Sequence, residues 1–242
     1  HDFLENPMHN NNKPIVYILT VCYFSDADIQ ELINSITGTD DYEINLLIYI
    51  NDGREFISLS YSEKLTVRQF SSKLNVGFSR ANNELLENCI NADQIIVCNP
   101  DTTFLPNKLP QILEVSKIQS SATALTPILI RKNEKNAKVI DSLGISQTWY
   151  GRFYDIGANK TLSSRRLHLL SKKGVVALCG AFIVFNRPAI NILKAIKFDE
   201  NFFLYKEDID LGIRINKAGV SLKVVHDLYI THARTWKKRG DV

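Results

Sequence analysis

The sequence is short of several features that usually announce a function. Its 242 residues include one methionine, two tryptophans and four cysteines. The cysteines (Cys22, Cys89, Cys98, Cys179) lack the C-x-x-C spacing of a zinc site or dithiol redox pair, and read as buried thiols in a reducing compartment. No G-x-G-x-x-G, Walker P-loop or G-x-S-x-G elbow is present. Dinucleotide redox chemistry, P-loop phosphoryl transfer and α/β-hydrolase chemistry are therefore disfavoured. The longest apolar run, Val175 to Phe185 with Gly180 inside it, is shorter than the roughly 20 residues a bilayer requires. A net charge of +3 is too small to imply nucleic acid by itself. No signal-peptide pattern opens the chain, and because Met8 is the sole methionine, residues 1–7 read as a tag remnant.

What is present describes one globular unit with a sizeable core: 45% hydrophobic and 23% charged residues, too apolar for disorder. Apolar runs at 15–21, 44–50, 65–70 and 94–98 read as buried strands. Between them, Ile29, Leu32, Ile33 and Ile36 follow a helical period after Ser25 and Asp26, and Leu85, Leu86, Cys89 and Ile90 do so after Ser79 as cap. This alternation predicts an α/β fold with an open, mostly parallel central sheet flanked by helices. A helix around Ile112 and a strand over 122–130 follow. Regularity then fades from Arg131 to Gly174. Beyond it come a long strand over 174–185, a helix opened by Pro188, a helix over 208–217 stopped by Gly219, and late strands at 222–225 and 228–231. No repeat or linker divides the chain.

Ligands of open α/β sheets sit beyond the carboxyl ends of the strands. Those ends carry Thr20-Val-Cys-Tyr23, Asn51-Asp52, Asn75-Val-Gly77 and Asn99-Pro-Asp101, joined later by Glu207-Asp-Ile-Asp210 and His232. Asp101 is either a ligand for a hard divalent ion such as Mg²⁺ or Mn²⁺, or the solvated end of an Asx-Pro-Asx turn. His232 is either a metal ligand or a core histidine bonded to backbone. His168 and His226 read as surface or packing residues. Acids favour a helix N-terminus, which rationalises part of the Glu207–Asp210 cluster. An adjacent pair behind apolar Phe202 to Tyr205 also suits a carboxylate of raised pKa acting as general base.

In order, Pro14–Tyr23, Ile48–Gly53, Asn75-Val-Gly-Phe-Ser-Arg-Ala-Asn-Asn83, Cys98-Asn-Pro-Asp-Thr102, Cys179-Gly-Ala181, Phe198-Asp-Glu-Asn-Phe-Phe-Leu-Tyr-Lys-Glu-Asp-Ile-Asp-Leu211 and His232 resemble the family 2 glycosyltransferases of GT-A fold. The likeness is to their bacterial rhamnosyltransferase-like branch and runs from Pro14 to about Trp236. It implies a single domain over residues 14–242, with a nucleotide-sugar half (14–104) and an acceptor half (105–242), after an N-terminal tail over 1–13. It also implies an inverting transfer of rhamnose or a hexose from a dTDP- or UDP-sugar to a hydroxyl of a cell-surface polysaccharide or lipid-linked glycan precursor.

Carried over by the resemblance, Thr20 and Tyr23 border the nucleotide, Asp52 binds the base, and Asn75 and Gly77 line the donor pocket. Asp101 and His232 hold the metal, Asp208 is the base, and Glu207 shapes the acceptor site. Gly180 and Ala181 let backbone approach the sugar. Asn99 stands where the family's D-x-D motif has its first acid, which weakens the metal site. The region Trp149–Lys173 is the expected acceptor loop. Its Trp149, Tyr150, Phe153 and Tyr154 either stack on sugars or form a satellite core, and Arg165 and Arg166 either meet acceptor phosphates or form a solvated face. The expected location is cytoplasmic, with peripheral membrane contact through Trp236-Lys-Lys-Arg239. Two other readings are weighed: a sugar-phosphate nucleotidylyltransferase, opposed by the lack of Gly and Lys over Leu19–Asp26, and a non-catalytic nucleotide-sugar-binding protein of the same fold.

Overall fold

The computed structural model describes residues 13–132 and 137–234; the N-terminal segment read as a tag and the basic tail after Arg234 lie outside them. The first half alternates strand and helix: β1 (Ile15–Cys22), α1 (Asp26–Ser35), β2 (Glu43–Ile50), β3 (Leu65–Ser71), α2 (Phe78–Glu87) and β4 (Gln94–Cys98). The second half comprises β5 (Thr102–Thr103), α3 (Lys108–Lys117), β6 (Thr123–Lys132), β7 (Lys138–Ser142), β8 (Ile145–Gln147), β9 (Phe153–Asp155), α4 (Ser164–Leu170), β10 (Phe182–Asn186), α5 (Arg187–Ile196), α6 (Glu207–Lys217) and β11 (Ser221–His232).

One sheet runs β3-β2-β1-β4-β10-β6-β11-β5, with β7 on β6. It is parallel through β3-β2-β1-β4, and β6 and β11 are also parallel, whereas β10, β7 and β5 run antiparallel to their neighbours. The continuous apolar strands follow from burial on both faces. Successive side chains of β1 and β2 alternate between two cores. Val16, Ile18, Ile44, Leu46 and Ile48 meet Ile29 and Leu32 of α1 and Leu109 and Ile112 of α3. Tyr17, Leu19, Leu47 and Tyr49 meet Leu85 of α2, Leu193 of α5 and Leu211 of α6. Each fully buried Leu or Ile stabilises the fold by about 1.5–3 kcal/mol relative to exposure.

Four expectations need correction. The strand over 174–185 begins only at Phe182, because earlier backbone donors are used elsewhere: Val176 N–H bonds Ile145 O, and Gly180 N–H bonds a carboxylate. Ser79 does not cap α2, which starts at Phe78 behind Gly77; its hydroxyl donates to Phe202 O instead. The irregular region 131–174 contains β7, β8, β9 and α4 around a small core of Ile140, Leu143, Ile156 and Leu170, with Tyr154 and Leu167 against it. The two late strands are a single β11 with a register shift between Val225 and Tyr229. All four cysteines are free, three of them buried.

Candidate active site

The carboxyl ends of β1 and β4, the start of α2, the 174–181 segment and the start of α6 enclose a cleft of about 500 Å³. Among the residues lining it are Tyr23, Asn75, Gly77, Asn99, Asp101, Gly180, Glu207, Asp208 and His232. Nine expected site residues, dispersed over more than two hundred positions, thus meet in one place. Thr20 and Asp52 do not line it. Thr20 is fully buried, and the Asp52 carboxylate is turned to Arg54 (Nη2–Oδ2 2.6 Å) and to the backbone N–H of Phe24 (2.9 Å). The Arg54 guanidinium and those hydrogen bonds hold the Asp52 carboxyl down at about 2, overcoming burial.

The 75–83 motif works mostly as a clamp. Asn75 Oδ1 accepts from Asn51 Nδ2 (2.7 Å) and from Gly77 N–H (2.9 Å), and Asn51 Oδ1 accepts from Val76 N–H (2.8 Å). Asn83 bonds both the carbonyl and the N–H of Phe198, and Phe78 N–H donates to Phe203 O. Gly77 has φ +83°, and a Cβ there would lie 2.8 Å from Phe203 O, so only glycine lets α2 hold the 198–206 loop this closely. That loop brings Phe203, Leu204 and Tyr205 to the cleft and ends in left-handed Tyr205 and Lys206 before α6.

At the first turn of α6 the three acids separate by role. Asp210 pairs with Arg214 one turn on (Nη2–Oδ2 2.5 Å), and Arg214 also donates to the carbonyls of Ile196 and Lys197, tying α6 to α5. Glu207 and Asp208 face the cleft instead. Asp208 Oδ2 accepts from Gly180 N–H (2.9 Å) and Oδ1 from Ile209 N–H (2.8 Å). Burial pushes the Asp208 carboxyl above its ordinary range against the pull of those hydrogen bonds. Burial, with the neighbouring Asp208 charge, pushes Glu207 up to about 7, and its Oε2 has no hydrogen-bond partner among the described residues.

Of the alternatives open for His232, bonding to backbone is not what occurs. His232 Nε2 lies 3.3 Å from Asp101 Oδ1 and 3.4 Å from Asn99 Nδ2, while Nδ1 lies 2.8 Å from Asp141 Oδ2. All three of Asp101, Asp141 and His232 are buried. Burial pulls the imidazole down, but the two flanking carboxylates outweigh it and raise it to about 9. Asp141 also receives Arg234 (Nε–Oδ1 2.6 Å), and Arg234 and Asp155 line the cleft. Sequence reasoning missed Asp141, Asp155 and Arg234.

The donor set fits a divalent ion. Two ligands about 2.1 Å from an octahedral ion stand roughly 3 Å apart, close to the Asp101–His232 separation. A histidine held through its other nitrogen by a carboxylate is the usual outer support of a metal ligand. In a second cluster, Cys22, Asp26 and Asp52, both carboxylates are already taken by the Arg54 guanidinium.

No protein-family profile matches the chain. Over 222 residues it is 25% identical to the N-acetylglucosaminyl-diphospho-decaprenol L-rhamnosyltransferase of two Mycobacterium tuberculosis strains, covering 85% of this chain and 71% of theirs. Its fold is similar to that of GalNAc-T7 with UDP, GalNAc and Mn²⁺ (TM-score 0.61, 14% identity, 92% of this chain and 44% of that one). It is similar too to the mannosyltransferase PcManGT of Pyrobaculum calidifontis with GDP-Man and Mn²⁺ (TM-score 0.59, 12% identity, 92% and 57%). The chain thus spans about half the length of these two structures.

Proposed function

We propose, from the premise that the chain is a GT-A glycosyltransferase on the rhamnosyltransferase-like side of family 2, that it transfers a sugar with inversion from a nucleoside diphosphate donor to an acceptor hydroxyl. The supporting observation is that the Asp208 carboxylate and the Asp101–His232 pair line the same cleft at the carboxyl ends of parallel strands. Residues 14–104 form the donor half, and residues 105–242 contribute the base and the acceptor side.

Asp208 takes the proton of the acceptor hydroxyl as its oxygen bonds the anomeric carbon and the bond to the departing diphosphate breaks. The Gly180 and Ile209 N–H groups fix both carboxylate oxygens, so the base meets the acceptor in a set orientation. A carboxyl raised by burial is a stronger base at neutral pH than a solvated one. Because a diphosphate is a good leaving group, a second carboxylic acid is unnecessary, unlike in glycoside hydrolysis. Asp101 and His232 would hold a divalent ion, Mg²⁺ or Mn²⁺, which neutralises charge growing on the diphosphate. Arg234, beside His232, adds positive charge to that part of the cleft. Asn75 and Tyr23 line the donor pocket, whereas Asp52 acts indirectly by fixing Phe24 and Arg54.

The donor is a dTDP- or UDP-sugar, rhamnose or a hexose, and the acceptor a cell-envelope polysaccharide or lipid-linked glycan precursor. The mycobacterial relative is named for an acceptor of the second kind. A melting-temperature panel of nucleoside diphosphates with and without Mn²⁺ tests the donor and metal together. The parent should gain stability only with both present, and Asp101→Ala should lose the Mn²⁺-dependent part. Equal shifts in the two proteins would remove Asp101 from the metal site.

A further inference from the structure

The satellite carrying β8, β9 and α4 has a charge unlike the rest of the chain. Residues 149–174 hold six Lys and Arg and one acid, in a chain whose net excess is only three. Arg152, Lys160, Arg165, Lys172 and Lys173 are exposed. On the same satellite, Trp149 is 96% exposed and Tyr150 61%, the two rings meeting edge to face at the β8–β9 turn. Leu169, on α4 with 60% exposure, is apolar and open to solvent as well. The pieces belong to one body: Leu167 and Leu170 of α4 share a core with Tyr154 and Ile156, and Lys173 Nζ reaches the Tyr154 hydroxyl (3.3 Å).

We infer that this satellite docks the enzyme on an anionic lipid surface, with Trp149 and Leu169 entering the headgroup region and the surrounding Lys and Arg meeting lipid phosphates. Tryptophan and tyrosine favour the membrane interface, where an apolar ring with a polar edge finds both environments. Clustered Lys and Arg are attracted to an anionic leaflet within about a Debye length. Nucleic acid fits less well, because Leu169 offers no stacking surface and the rings are packed edge to face rather than as parallel platforms. The satellite adjoins the cleft through Asp155, the last residue of β9 and one of the residues lining it, while the Trp149 turn stands at the other end of the β8–β9 hairpin. Docking here sets the cleft beside the membrane surface, and among the described residues no helix is long and apolar enough to cross it.

Trp149 and Trp236 are the only tryptophans, so Trp236→Phe leaves Trp149 as sole reporter. On adding phosphatidylglycerol/phosphatidylcholine vesicles at low salt, its emission should shift to the blue and become protected from acrylamide. Pure phosphatidylcholine vesicles, or 0.5 M NaCl, should abolish the shift. Arg165→Glu with Lys172→Glu, both at exposed positions, should weaken vesicle binding at least tenfold. Unchanged Trp149 emission with anionic vesicles, an equal response to neutral ones, or binding of heparin without vesicle binding would overturn the inference. The readout uses neither donor nor metal, so any of these results would leave the reading of the cleft standing.

Discussion

Asp141 shows how much of the site is decided by side chains that carry no local signal. It lies within Lys-Val-Ile-Asp-Ser, an ordinary β7 sequence, and gains its importance only when folding brings His232, 91 residues on, to its carboxylate. Nothing nearby in sequence could have revealed it, whereas Asp101 and Asp208 were legible because each sits in a recognisable run at an element's end. Replacing Asp141 by Asn keeps an acceptor for His232 but removes the charge that holds the imidazole and Arg234. Affinity for Mn²⁺ in the presence of nucleoside diphosphate should fall by roughly 10–100-fold. Titration followed by electron paramagnetic resonance measures this, and an unchanged Kd would mean the Asp141 contact is only structural. Glu207 makes the opposite kind of contribution. Its carboxyl is held at about 7 against an ordinary 4.5, so the folded state binds the extra proton between those values and loses stability as pH rises through them. Glu207→Gln should therefore stabilise the fold by about 1–3 kcal/mol at pH 8, with the gain shrinking toward pH 4.5. Denaturant unfolding at the two pH values reads the difference, and a pH-independent gain would show that Glu207 is not buried as an acid.

Among the elements, α6 and the 174–181 segment form the most demanding contact. A Cβ on Gly180 would stand 3.1 Å from Asp208 Cβ, so the glycine admits the helix close enough for its N–H to reach the carboxylate. Gly180→Ala should lower kcat about tenfold or more while nucleotide affinity stays within about twofold, because the base shifts and the donor pocket does not. Steady-state kinetics with nucleotide titration separates the two, and an unaltered kcat would contradict the fixed placement of Asp208. The 174–181 run was misread as strand because Val175 to Phe185 is uniformly apolar and Gly180 alone did not mark where the chain leaves the sheet. Strands β2 and β4 were legible for the complementary reason: Asn51 and Asn99 close their apolar runs, while β1 was marked by the Ser25-Asp26 helix start that soon follows it. The short β7, β8 and β9 escaped notice since their core is assembled from residues far apart in sequence, Ile128 to Leu170.

At the scale of the whole molecule, sheet order does the work of gathering the site. Parallel β1 and β4 deliver Cys22-Tyr23 and Asn99–Asp101 to one edge, and β10 and β11 bring Gly180 and His232 to it from the second half. The α/β class with its parallel half was readable from the alternation of strand and helix, and the GT-A fold only from the resemblance; the mixed pairing beyond β4 was readable from neither, since strand direction there depends on where long connections return. Asp208 as the base in that assembled cleft is the centre of the account. Transfer from a nucleotide sugar by Asp208→Asn, measured in single turnover beside its affinity for the same nucleotide with Mn²⁺, tests it most directly. The account predicts transfer slowed by a factor of about 10³ or more with binding nearly unchanged. Transfer at the parent rate would contradict it.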